Sequence, residues 1–64
     1  MKPLQASSGD VLADRRAGYA EMLFSSGDHA AAADLMRDAL DLSPAWALGW
    51  FRLGEMREAA GALD

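Results

Sequence analysis

Cysteine, isoleucine, threonine and asparagine are absent from the 64-residue sequence, and Val11 is its only β-branched side chain. Strands draw on β-branched and aromatic residues, so a sheet has almost no raw material here. Without cysteine there is no disulfide to staple a small core, and one histidine among scattered aspartates has no metal-site spacing. A cysteine-free chain fits a reducing compartment. Basic residues are scarce too: six Lys and Arg stand against ten Asp and Glu, for a net charge of −4. No basic stripe exists to neutralise phosphates, which argues against nucleic acid as a partner. Long apolar runs are missing; the longest, Ala30 to Ala33 and Ala45 to Leu48, have four residues, far too few to span a membrane. Met1 to Gln5 lead into Ser and Gly without an apolar core of the secretory-signal kind. The expectation is a cytoplasmic protein with neither a membrane nor a nucleic-acid partner.

What is present is helix-forming. Alanine and leucine supply 14 and 9 residues, and the fold class expected is all-α. Residues 1–8 read as a flexible lead-in. Ser7, three residues before Asp10, resembles a capping box. From there Leu12, Arg16, Tyr19, Ala20 and Leu23 fall at helical spacing to about Ser25. Ser25-Ser26-Gly27-Asp28 is a turn followed by a cap, with Gly27 supplying left-handed backbone and Asp28 accepting free amide protons. A second helix follows to about Leu42, with Ala32, Leu35, Met36, Ala39 and Leu40 on one face. Ser43-Pro44 breaks the chain; Ser43 offers a cap and Pro44 suits the first turn of a third helix. That helix is expected over about Ala45–Ala60, with Trp50, Leu53, Gly54 and Arg57 on one face and Trp46 a turn earlier, stopping near Gly61.

The chain also resembles itself. At an offset of 34, Ala13, Glu21, Met22 and Gly27 recur as Ala47, Glu55, Met56 and Gly61, four identities in 18 aligned pairs. Both glycines are expected to end helices of equal length, so a helix-turn-helix unit begins twice. With these residues the period resembles the tetratricopeptide repeat. Its W-x2-L-G pattern stands intact as Trp50-Phe51-Arg52-Leu53-Gly54, and Ala32, Met36, Ala39 and Pro44 match the slots of its second helix. Ala20 and Gly54 match positions where crossing helices need small residues. Arg16 and Arg57 depart from the pattern, standing where the family carries large apolar or aromatic groups. Arg16 would suit a polar end of a stack, and the stem of Arg57 could lie along an edge. The resemblance implies an α-solenoid fragment over Ala13 to Asp64: repeat 1 over residues 9–44, and the first helix of an incomplete repeat 2 over 45–64. Ala45 to Glu55 further resembles the N-terminal segment of bacterial predicted methyltransferases that carry such repeats ahead of an S-adenosylmethionine-dependent domain. No Gly-rich loop follows a strand, so no cofactor is expected in this segment, and any such chemistry would lie beyond Asp64.

The family resemblance implies a ligand groove on the first helix of each unit, at Asp14, Ala17, Glu21 and Phe24 and then at Leu48, Phe51, Glu55 and Glu58. Such a stripe, mixing aromatic and acidic groups, would suit a peptide with apolar and basic side chains. Against this stands the reading in which Glu21, Glu55 and Glu58 are solvated and Phe51 packs on a neighbour. The Lys and Asn residues with which some family members grip a C-terminal carboxylate are missing. His29 beside Asp28 lacks any nucleophile placed by a motif, and packing is its expected role. Trp50 is expected in the core against the second helix. Trp46 packs under the Pro44 turn or is exposed, and the four methionines fill core. Arg37–Asp41 and Arg52–Glu55 are expected as surface pairs. No residue is assigned to catalysis or to a metal.

Three functions are compatible with this reading. One is a protein–protein interaction segment, the N-terminal part of a longer protein, whose partner is another protein, a peptide or the rest of its own chain. Another is the non-catalytic N-terminal region of a methyltransferase. The third is self-association through an open third helix carrying Trp46, Trp50, Phe51, Leu53 and Met56, because stacked repeats need their end faces covered.

Overall fold

A computed structural model describes residues 7–61, which form three helices: α1 (Val11–Ser25), α2 (His29–Leu42) and α3 (Ala47–Ala59). The fold is the all-α one expected. Met1–Ala6 of the lead-in and Ala62–Asp64 of the second unit lie outside the described residues.

Local chemistry accounts for each boundary. Asp10, not Ser7, caps α1: its Oδ1 accepts from the amides of Leu12 at 2.9 Å and Ala13 at 3.0 Å. Ser7 and Ser8 are also no loose lead-in, since both bind Asp14 one turn into the helix. The turn after α1 is a Schellman motif. Gly27 takes a φ of +92°, its N–H donates to Phe24 O, and the Asp28 N–H donates to Leu23 O. Asp28 precedes α2 without a side-chain capping bond, so its expected capping role is not realised. The His29 ring instead lies 4.9 Å from the Phe24 ring, the packing role expected of it.

The third helix starts two residues later than expected. The Trp46 N–H donates to Ser43 O at 3.2 Å, which places Pro44 and Ala45 in a turn before α3 rather than in its first helical turn. Ser43 makes no cap for α3, whose N-cap residue is Trp46. The helices consequently differ in length, 15 residues against 13, although the 34-residue offset holds at their C-caps, Ser26 and Ala60.

The central helix α2 packs against both neighbours, while α1 and α3 scarcely meet. It brings the expected face, with Ala32, Met36, Ala39 and Leu40 buried, Leu35 partly so, and Ala33 in addition. On α1 the buried stripe is Ala13, Ala17 and Ala20, whereas Leu12 and Tyr19 of the expected face are exposed. Only small side chains let α1 approach α2 closely, which rotates the larger residues outward. On α3 the buried residues are Gly49, Leu53 and Met56, so Trp50, Gly54 and Arg57 do not form the core face.

The two tryptophans exchange their expected roles. Trp46 is 9% exposed and joins the core, whereas Trp50 is 42% exposed. The cause is Gly49. A Cβ at that position would lie 2.7 Å from Leu40 Cδ2 and 2.9 Å from Trp46 Cζ3, so the missing side chain is the space into which Trp46 and Leu40 close. Trp50 rests on the outside, donating its indole N–H to Pro44 O at 2.7 Å beneath the Arg37 guanidinium of α2. Gly54 needs no small residue for packing, because a Cβ there would meet nothing within 4 Å. Of the methionines, Met36 and Met56 fill core as expected, Met22 is 67% exposed, and Met1 lies outside the described residues.

Candidate interaction groove

Because α1 and α3 both pack on α2 and hardly touch each other, a groove runs between them. From α1 it is lined by Asp14, Ala17, Gly18 and Glu21, and from α3 by Leu48 and Arg52. Ser7 and Trp46 complete it, and its volume is about 570 Å³. Four residues expected on the groove stripe therefore meet here: Asp14, Ala17, Glu21 and Leu48. Ala17 is buried, so it contributes floor rather than a reaching side chain.

The other four go elsewhere. Phe51, Glu55 and Glu58 line a shallow depression of about 410 Å³ on α3, together with Trp50 and Gly54. Phe51 is 60% exposed. Phe24 is partly buried against the core, its ring beside His29 and 5.3 Å beneath the Arg52 guanidinium. The eight positions implied by the resemblance are thus divided: Asp14, Ala17, Glu21 and Leu48 line the groove, Phe51, Glu55 and Glu58 the depression, and Phe24 neither.

Arg52 organises the groove. Its Nε donates to Glu21 Oε2 at 2.7 Å and its Nη2 to Glu21 Oε1, while Nη1 reaches Glu55 Oε1 at 2.5 Å. The expected Arg52–Glu55 pair exists, but the bidentate bond to Glu21, 31 residues away, is the one that ties α1 to α3. Hydrogen bonds to Glu21 hold the guanidinium above its ordinary pKa against the opposing effect of burial, and Glu55 adds to the rise. The Arg37–Asp41 pair forms on the outer surface of α2 at 3.4 Å, as its spacing predicts.

At the other end of the groove, Asp14 accepts from Ser8 Oγ at 2.7 Å, from the Ser8 amide at 2.8 Å and from Ser7 Oγ at 2.7 Å. The Ser8 hydroxyl, then its amide, then Ser7 lower the carboxyl pKa below its usual value, so Asp14 is an anion at any physiological pH. Among the described residues no three His, Cys, Asp or Glu side chains converge to hold a metal ion, and no helix is long and apolar enough to cross a membrane.

A groove between the first helices of two consecutive helix-turn-helix units is the arrangement that a 34-residue repeat produces when it stacks. The sequence profile described as Tetratricopeptide repeat matches residues 13–56. The chain belongs to the tetratricopeptide repeat family. The match begins where the internal similarity begins, at Ala13, and closes at Met56 in α3. No curated protein and no solved structure matches the chain. The tetratricopeptide repeat is a non-catalytic protein-interaction motif, and this segment is an interaction module rather than an enzyme.

Four residues of the groove escaped the sequence reading: Ser7, Gly18, Trp46 and Arg52 line it although none was assigned to it. A signal for Arg52 was present: Glu21 and Glu55 are equivalent across the 34-residue offset, so an arginine one turn before Glu55 faces both. Trp46 had no comparable signal, because its place follows from the vacancy at Gly49 once α3 lies on Leu40.

Proposed function

We propose that the groove between α1 and α3 holds a peptide or a helix of another protein, or a segment from elsewhere in its own chain, in the cytoplasm. The observation that carries this reading is the groove itself. It is concave, its floor is made by Ala17, Trp46 and Leu48, and its charged groups are already bonded to one another or to serines. An apolar side chain can enter over Ala17, Trp46 and Leu48, and burial of apolar area then favours the complex.

A display selection of random peptides against the 64-residue chain tests it. Selected peptides should lose most of their affinity to Leu48→Lys, which puts a charge on the apolar wall, and keep it toward Phe51→Lys on the outer depression. The reverse pattern would move the contact to the exposed Trp50–Phe51 face, the surface through which two copies of the chain would associate.

A second reading rests on the likeness of Ala45 to Glu55 to the N-terminal segments of repeat-bearing methyltransferases. In it the repeat is a non-catalytic N-terminal region, and the chemistry belongs to a domain beyond Asp64. The intact mass of the protein made by its native host decides this: a product tens of kilodaltons larger supports it, and one near 6.8 kDa sinks it.

A further inference from the structure

On the α1 wall of the groove Asp14, Gly18 and Glu21 fall on one stripe, seven residues of helix separating the two carboxylates by about 10 Å. Between them the helix surface is bare. Gly18 has no side chain, and a Cβ there would meet nothing within 4 Å. Facing the bare stretch are the apolar side chains of Leu48 and Trp46.

The two ends of this trough differ in charge. At Glu21 both carboxylate oxygens are taken by Arg52, so that end is closed by a neutralised pair. At Asp14 the three hydrogen bonds come from uncharged serine groups, which orient the carboxylate and keep it ionised without compensating it. Arg52 is shared by two carboxylates, Glu21 and Glu55, and Asp14 adds a third with no cation beside it in the groove, in a chain of net charge −4. The field in the trough therefore favours a cation, and favours it most at the Asp14 end, farthest from Arg52.

With the groove as the contact surface, we propose that this trough receives a lysine or arginine side chain of the partner, its aliphatic stem over Gly18 against Leu48 and Trp46 and its cationic head on Asp14. The bare stretch matches the length of such a stem, and apolar walls with one anionic end match its division into a greasy body and a charged tip. An acidic side chain would meet Asp14 and find Arg52 already paired twice. A purely apolar one would leave the anion uncovered.

Three short probe peptides on one alanine–leucine framework test this, carrying two lysines, two glutamines or two glutamates, each titrated into the 64-residue chain by fluorescence anisotropy. The lysine probe should bind about tenfold more tightly than the glutamine probe. The glutamate probe should be weakest, and the lysine advantage should shrink as salt is raised. Gly18→Leu fills the trough while improving helix propensity, so its melting temperature should not fall and its loss of lysine-probe binding cannot be ascribed to unfolding. Asp14→Asn should abolish the lysine preference, bringing the lysine and glutamine probes to equal affinity. Equal binding of all three probes, weakened alike by Gly18→Leu, overturns the cationic assignment and leaves the groove as the contact surface. Lysine-probe binding that ignores Gly18→Leu overturns both. Binding by none of the probes overturns the cationic assignment, whereas the groove reading is then decided by the display selection.

Discussion

Replacing Gly49 and Gly54 by alanine makes the same chemical change twice in α3, yet only Gly54→Ala should raise stability. Alanine improves helix propensity over glycine by about 1 kcal/mol at either site. At Gly54 the new methyl meets nothing within 4 Å, so this gain stands alone. At Gly49 it would lie 2.7 Å from Leu40 Cδ2 and 2.9 Å from Trp46 Cζ3. Carbon atoms pack at about 3.5–4.0 Å, so these neighbours must retreat by about an ångström. Leu40 is buried in the core, and Trp46 lines the groove, into which it can swing. Overpacking of this kind costs about 1–3 kcal/mol. Because the propensity terms cancel, that is also the expected gap between the two variants. For a domain of this size each kcal/mol corresponds to about 4–8 °C in melting temperature. Thermal and urea unfolding followed by far-UV circular dichroism, at one protein concentration, measures the gap. Tryptophan emission should shift in Gly49→Ala and not in Gly54→Ala. Coincident melting curves, or a more stable Gly49→Ala, would refute the packing argument for Trp46.

Three further outcomes follow from local features. Gly27→Ala forces an L side chain into the left-handed backbone of the Schellman turn and should cost about 1–2 kcal/mol in urea titrations; an unchanged midpoint would mean the turn re-forms another way. Asp14 titrates below its usual pKa in the fold, so its contribution to stability is present in full above the unfolded value of about 3.9 and is lost as pH falls through the folded one. Ser8→Ala should accordingly raise the Asp14 pKa in a carboxyl-carbon NMR titration, and an unmoved pKa would show that Ser8 does not hold it. Arg52→Met should destabilise the chain by about 1 kcal/mol or less, since Arg52 and both its partners are part-exposed, and the difference from wild type should close at about 1 M salt. A salt-independent loss would point to lost packing of the arginine stem.

The parts legible in the sequence are those governed by local chemistry. Helix ends at Ser25 and Leu42 follow from Gly27 and Pro44 nearby, and the face of α2 follows from the spacing of Ala32, Met36, Ala39 and Leu40. What was not legible depends on how closely backbones approach. An Ala-rich helix offers two plausible faces, and hydrophobic size favours Leu12 and Tyr19, yet close packing selects Ala13, Ala17 and Ala20. The tryptophan exchange arises in the same way, because the vacancy at Gly49 exists only once α3 lies on Leu40. The acidic stripe was legible through the repeat, but its division between groove and depression was not. That division depends on the curvature with which α3 follows α1, which no spacing within either helix encodes.

Whether partners are held between α1 and α3 is decided by titrating a selected peptide into the isotopically labelled chain and following its amide resonances. The largest shifts should gather at Ala17, Gly18, Glu21, Leu48 and Arg52, with those of Phe51 and Glu58 nearly still. Shifts gathered instead at Trp50, Phe51 and Gly54, or along the outward face of α1 at Tyr19 and Met22, would contradict binding between α1 and α3.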